Sequence, residues 1–370
     1  MQLSGRVRIV GAALVFVMGL AGVDLGFSAV SAQAPAELNV EASCPLERSG
    51  DWERVPVPGA RCGDGGEYSV FVRAGDPNRV AVAFMGGGAC WDEASCYGIR
   101  SRTFLSMIPF VPLFGGFLSR DPQVSPVAGW TTIYFPYCTG DLFAAHHTAR
   151  YGKRKVYHKG RALVPQSFAH LVQVGKISPA ITSDLAVWGP SAGALGAMIH
   201  ARFLDQLFTQ AVRKSLIADA PGLHFGPKVW DKFPAKMIEE FAVSMKQAGL
   251  DLAPGQGVIA KVIPGLCREL PDWSVGAMQG SRDIVMSQLF GELTPDEQRA
   301  AILSSEGMLA LTSDPTDLCR SWVPDTYAHT FLPTPVFAGL KAQGVSATEF
   351  LLKVVAREPG PNYADAFEDN

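Results

Sequence analysis

The sequence has 370 residues, 48% of them apolar and 18% charged, with a formal net charge of −3. This length and apolar content fit a globular chain with a large buried core. The mild negative charge excludes strong electrostatic binding of nucleic acid by the surface as a whole.

Residues 1–32 have the layout of a secretory signal peptide. Arg6 and Arg8 form a basic start, Ile9 to Val23 an apolar middle, and Val30-Ser31-Ala32 a small-residue cleavage site. The apolar run is shorter than the ~20 residues of a spanning helix, and Asp24 follows it. No stable membrane span is therefore expected after cleavage. Removing this segment, with its two Arg and one Asp, leaves a mature charge of −4. Export to an oxidising compartment makes disulfides the expected state of the seven cysteines, at least one of which is left over. Cys90 and Cys96 flank one short loop and are the nearest pair. There is no Cys-x-x-Cys and no His-Glu-x-x-His, so no zinc site is expected.

Residues 33–370 are expected to form one catalytic domain. Residues 35–66, rich in Pro, Gly and Arg, look like a loop-like lead-in. Tyr68–Val72 alternates as a strand, and Val80–Phe84 is a buried strand running into Gly86-Gly87-Gly88. The apolar stretch 104–118 is too rich in Pro and Gly for a long helix. It is either a buried insertion or a lid that walls an acyl pocket. Thr131–Tyr137 is a strand and 161–175 a helix. Strands follow at Leu185–Trp188, Lys214–Asp219 and Val275–Gln279, with helices at Ala235–Gly249 and Gly257–Leu266 between the last two. Helical stretches at 284–290 and 295–310 come next, the second opened by the capping pattern Thr294-Pro-Asp-Glu297. A strand or loop, Val323–Leu332, carries His329, and Ser346 caps a closing helix to Val355. The Pro- and acid-rich tail 357–370 is expected to fray. Strands alternate with helices throughout, which predicts an α/β fold with a mostly parallel sheet and helices on both faces.

The most informative segment is Asp184–Met198, which holds Gly189-Pro-Ser191-Ala-Gly193 between a strand and a helix. In that context Gly-x-Ser-x-Gly is a nucleophile elbow. The bland reading is an N-capping serine at a Gly-rich turn. A nucleophilic serine needs a base, and the base needs an orienting acid. His200, His224 and His329 follow Ser191. His200 sits in the helix leaving the elbow and cannot fold back. His224 follows a strand end and stays possible, while His329 is the best-placed base. Asp283, directly after the Val275–Gln279 strand, is the first choice of acid, with Asp219 as runner-up; Asp325 is too near His329 in the chain. A Cys267–Cys319 bridge would hold the acid and base loops together. The developing oxyanion needs backbone N–H groups, expected from Ala192 and from Gly87 and Gly88 of the glycine loop. No Lys-Ser or Lys-Thr follows that loop, so it is not a phosphate cradle.

These residues carry a family resemblance. Gly86-Gly-Gly-Ala-Cys-Trp91 with Cys96, Pro136-Tyr-Cys-Thr-Gly-Asp141, the Ser191 elbow, Ala218-Asp-Ala-Pro-Gly222, Asp283 followed by Gln288, and Tyr327-Ala-His329 resemble, in order, the motifs of the pectin acetylesterase and Notum-like family. The resemblance implies a serine carboxylesterase on an α/β-hydrolase fold, without metal or cofactor. It implies Ser191, Asp283 and His329 as triad, Gly87, Gly88 and Ala192 as oxyanion donors, and a disulfide from Cys138 to Cys62 or Cys44. Ala89, Pro190 and Ala194 depart from the family pattern at positions that line the site, so the acyl group stays open. The implied partner is a small-molecule or polysaccharide ester. The basic run Arg150–Arg161 would suit an anionic polysaccharide if it borders the cleft, and is otherwise a solvated loop. The same residues would serve a thioesterase, an amidase or a lipid esterase, and a scaffold that had lost turnover would only bind.

Overall fold

The computed structural model describes residues 51–365 except 100, 102, 109–115, 251–258, 314, 315, 317 and 334–338. The expected signal peptide, Cys44, the middle of the 104–118 segment and the start of the helix expected at 257 lie outside the described residues. The chain opens with β1 (Trp52–Arg61), β2 (Glu67–Arg73), β3 (Asp76–Phe84), the short helix α1 (Glu93–Tyr97) and β4 (Trp130–Phe135). A hairpin of β5 (His147–Tyr151) and β6 (Arg154–His158) precedes α2 (Gly160–Gln173). Then come β7 (Asp184–Pro190), α3 (Ala192–Leu207), β8 (Arg213–Asp219), α4 (Ala235–Gln247), α5 (Val262–Glu269) and β9 (Trp273–Met278). A π-helical stretch, Val285–Gly291, leads to α6 (Pro295–Leu303), α7 (Met308–Leu311) and β10 (Cys319–Val323). The hairpin β11 (Lys341–Ala342) and β12 (Val345–Ser346), α8 (Ala347–Val355) and β13 (Tyr363–Ala364) complete the described chain.

Nine strands form one sheet in the order β1-β2-β4-β3-β7-β8-β9-β10-β13. Pairing is antiparallel at β1/β2 and β2/β4 and parallel from β4 onward. This is the mostly parallel α/β-hydrolase arrangement. Every residue of β7 is buried, because both faces of the sheet are covered. The period of two sorts its side chains. Leu185 and Val187 pack with Leu163, Phe168 and Leu204 on one face, while Ala186 and Trp188 pack with Trp322, Phe350 and Val354 on the other. Each fully buried side chain of this size contributes about 1.5–3 kcal/mol. The sheet is therefore a rigid base for the loops at the carboxyl ends of its strands.

Three expectations are corrected. The lead-in is not all loop: β1 runs through Pro56 and Pro58, which an edge strand tolerates because its outer N–H groups need no partner. The stretch 295–310 is two helices, since α6 stops at Ser304 and α7 starts after Gly307, where a Cβ would stand 2.2 Å from the Ile302 carbonyl. The tail does not fray from Arg357. β13 adds a parallel edge beside β10, and Asn362 accepts from Ser321 N (2.7 Å) and donates to Leu309 O (2.8 Å). Disulfides join Cys62–Cys138, Cys90–Cys96 and Cys267–Cys319. Among the described residues no helix is long and apolar enough to cross a membrane.

Candidate active site

β7 delivers the chain into Ser191, which holds φ 54° and ψ −122° before α3 begins at Ala192. A non-glycine residue in this region is strained and needs its surroundings to hold it. Ser191 N donates to Asp219 O (2.7 Å), and Ser191 O accepts from Ala194 N (2.9 Å). A Cβ on Gly193 would stand 2.2 Å from the Phe84 carbonyl, so only glycine lets the first turn of α3 lie against the end of β3. The Ser191 side chain makes no capping bond to α3, which removes the bland reading of the motif. Its hydroxyl is left for chemistry.

The glycine loop leaves β3 beside this turn. A Cβ on Gly86 would come within 2.7 Å of Pro190 O and 3.4 Å of Ser191 Cβ, which places the loop against the elbow. A Cβ on Gly87 would come within 2.5 Å of the Tyr137 ring and 3.0 Å of the Phe104 ring, so the loop is packed close against both. Gly88 has φ 66°, and its carbonyl accepts from Tyr137 Oη (2.9 Å). The same hydroxyl accepts from Leu142 N (2.7 Å). Cys90 N donates to Gly140 O (2.9 Å), and the Cys90–Cys96 bridge closes the next turn. The N–H groups of Gly87, Gly88 and Ala192 donate to no acceptor among the described residues.

The proposed acid and base meet through space from loops after two adjacent strands. His329 Nδ1 donates to Asp283 Oδ2 at 2.7 Å. Asp283 is fully buried. Its Oδ2 also accepts from Gln279 Nε2 (2.9 Å), and its Oδ1 accepts from the N–H groups of Val285 (2.9 Å) and Met286 (3.0 Å). Four donors fix the carboxylate, and the carboxylate fixes the ring. An imidazole held by Nδ1–H presents Nε2 as the proton acceptor. No hydrogen bond joins His329 to Ser191 in this structure; such contacts commonly tighten only with substrate present. Asp219 connects the two. Its backbone carbonyl holds Ser191 N, and its Oδ2 accepts from Phe331 N (2.7 Å) and Leu332 N (2.8 Å), just beyond His329.

Ser191 opens on an apolar cleft whose enclosed space is about 70 Å³. The walls include Leu195 and Ile199 of α3, Phe241 and Met245 of α4, and Trp91 and Phe233, whose rings meet at 5.1 Å. Lys232 is the charged residue of the described lining, and its Nζ stands 5.9 Å from the Trp91 ring centre. Met286, one of the amides holding Asp283, also lines the cleft, so the acid loop and the cleft share a residue.

The other sequence candidates lie elsewhere. His200 is buried in α3 with Nε2 against Phe143 O (3.0 Å), and burial lowers it to about 4. His224 is buried, lowered to about 4 by burial, and its Nε2 accepts from Met308 N (3.1 Å). Asp325 pairs with Arg282 and accepts from Ser281 Oγ (2.8 Å). Gln288 is exposed on the π-helical stretch; the glutamine that reaches the acid is Gln279. Its signal in the sequence was its place at the end of the strand before Asp283. The basic run forms the β5–β6 hairpin, whose Arg150, Lys153, Arg154 and Lys155 are exposed and in no ion pair among the described residues. Phe104 reaches the glycine loop, and at the other end of the same segment Phe117 N donates to Leu332 O (2.9 Å).

A family model described as Pectinacetylesterase matches residues 53–241, which include the glycine loop and the Ser191 elbow. Two crystal forms of the Wnt deacylase Notum from Drosophila share the fold. One is 18% identical with a TM-score of 0.61, covering 86% of this chain and 97% of the other. The second is 19% identical with a TM-score of 0.60, covering 86% and 96%. No curated protein matches the sequence.

Proposed function

The chain belongs to the pectinacetylesterase family, and from that premise we propose that it is a serine carboxylesterase acting through an acyl-enzyme at Ser191. His329 Nε2 takes the hydroxyl proton as Ser191 Oγ attacks the ester carbonyl. Asp283 keeps the ring in the required tautomer and stabilises the imidazolium without taking its proton. The oxyanion meets the N–H groups of Gly87, Gly88 and Ala192, each worth about 3 kcal/mol to the transition state. The intermediate collapses, the alcohol leaves with the proton from Nε2, and water cleaves the acyl-enzyme by the same route. The observation that carries this reading is the 2.7 Å His329–Asp283 pair, tied through Asp219 to a strained serine whose hydroxyl caps nothing.

The cleft supports an acyl group longer than acetyl. Its lining is almost wholly apolar, with Leu195, Phe233, Phe241 and Met245 among its walls, which suits a hydrocarbon chain. A carbohydrate on the alcohol side draws support from the cationic β5–β6 hairpin, because Tyr97 Oη of α1 donates to Lys155 O (3.1 Å) and α1 follows Trp91 of the cleft. We also propose that residues 1–32 direct export and are removed, and that the remainder works as one domain outside the cytoplasm; three disulfides suit that compartment.

The test is a p-nitrophenyl ester series from acetate to palmitate with wild type and Ser191→Ala. Turnover should vanish in the variant, and a fluorophosphonate should label wild type at Ser191. Specificity rising with chain length supports the acyl reading, and a maximum at acetate overturns it. A wild type that neither turns over nor labels is a binding scaffold.

A further inference from the structure

We infer that Asp219 is a second acidic positioning residue, which holds the turn carrying His329 against the nucleophile elbow and adds its charge to the field at that imidazole. This rests on the assignment of Ser191 and His329 above. Asp219 ends β8, between β7, which carries the serine, and β9, which precedes the acid. Its main chain and side chain are divided between the two halves of the site. The carbonyl accepts from Ser191 N (2.7 Å), and Oδ2 accepts from Phe331 N (2.7 Å) and Leu332 N (2.8 Å). Thr330, between His329 and these two amides, has φ 64°, so the chain turns sharply where the carboxylate grips it.

Burial is complete, and the other oxygen, Oδ1, has no hydrogen-bond partner among the described residues. No Lys or Arg pairs with this carboxylate among the described residues. The titratable groups that face it are His329, from the loop after β10, and Asp283, from the loop after β9. Burial pushes its carboxyl up to about 7; the amides of Leu332 and Phe331 and the nearby His329 pull it down, and Asp283 pushes it up further. A simple amide clamp does not need an acid: a neutral oxygen would accept the same two N–H bonds. An unpaired buried carboxylate is costly. Its charge has a use where positive charge develops, and the imidazolium of His329 is where it develops.

Two variants separate clamp from charge. Asp219→Asn keeps an oxygen for Phe331 N and Leu332 N and removes the charge. Asp219→Ala removes both. Turnover of a p-nitrophenyl ester is measured against pH, with fluorophosphonate labelling of Ser191 alongside. Asp219 carries its charge above about pH 7 and loses it below, so turnover by Asp219→Asn relative to wild type should be lowest above pH 7 and recover toward wild type as pH falls to 6. Its plateau kcat should fall several-fold. In Asp219→Ala, kcat should fall on the order of 100-fold, the scale of a 1 Å misplacement, with KM within about threefold of wild type. A purely structural residue would change melting temperature and lower turnover by the same factor at every pH. A wild type that labels at Ser191, with a ratio of Asp219→Asn to wild-type turnover that does not change with pH, overturns this inference alone. A wild type that fails to label overturns the triad and this inference together.

Discussion

The proposed triad of Ser191, Asp283 and His329 is legible in the sequence because each residue stands at a strand end or loop with few rivals of its type. His200 and His224 were set aside or held in reserve on chain position, and both are bonded to backbone groups in the core. Gln279 and the grip of Asp219 on the 331–332 amides were not legible, since both depend on which strand ends become neighbours. Asp219 also carries a prediction about stability. Its carboxyl titrates at about 7 in the folded chain against an ordinary 3.8. The folded pKa is raised, so the folded state keeps a proton that the unfolded state has lost, and stability falls as pH rises from about 4 to about 7. Asp219→Asn lacks this dependence. Denaturant titrations at pH 4, 5, 6, 7 and 8 should therefore show the variant gaining on wild type up to about pH 7 and then holding its margin. A margin that is flat across this range would show that the buried acid bears no such cost.

At the scale of elements, the central strands were plain in the sequence because burial on both faces leaves uninterrupted apolar runs. The edges were not. β1 carries prolines, and β13 is a two-residue strand in a polar tail, so neither shows the period of two. The glycine loop was legible as glycines, but not what holds it. Tyr137, from the loop after β4, donates to Gly88 O and accepts from Leu142 N. Tyr137→Phe removes both bonds and leaves the Leu142 amide without its acceptor, at a cost of about 1–3 kcal/mol. With Gly88 freed, the proposed oxyanion donors lose their orientation. We expect kcat to fall about tenfold with KM nearly unchanged, checked by steady-state kinetics beside a melting curve. An unchanged kcat with a lowered melting temperature would confine Tyr137 to a packing role.

At the scale of the whole molecule, alternation of strand and helix was enough to give the α/β class, while the sheet order came only with the structure, since it is a matter of long-range pairing. The acid response also belongs to this scale. His158, His200 and His224 are each lowered to about 4 by burial, below an ordinary 6.5. A depressed histidine holds its proton less tightly in the folded chain, so its contribution to stability is present above about 6.5 and is lost as pH falls toward 4. Asp141, raised to about 6 by burial, and Asp219 act in the opposite direction, but they are two groups against three. His146 and His147, also lowered by burial, add to the histidine side. The melting temperature should therefore decline between pH 6.5 and pH 4, and calorimetry across that interval checks it. A rise on acidification would mean that the carboxyls dominate.

The outer strands β1 and β13 are the first and last of the described chain, and they lie at opposite edges of one sheet. Eight inter-strand steps of about 4.8 Å separate them, roughly 38 Å measured along the sheet. That span lies within the range of Förster transfer, and a dye pair of shorter Förster radius would be sensitive to changes in it. Fluorophores placed near Trp52 and Tyr363 would stand clear of the carboxyl ends of the middle strands, where the cleft opens, and would form a ruler laid across all nine strands. Loosening of either margin would change its length while the reaction centre is still intact, so the margins and the centre can be timed separately as the molecule unfolds.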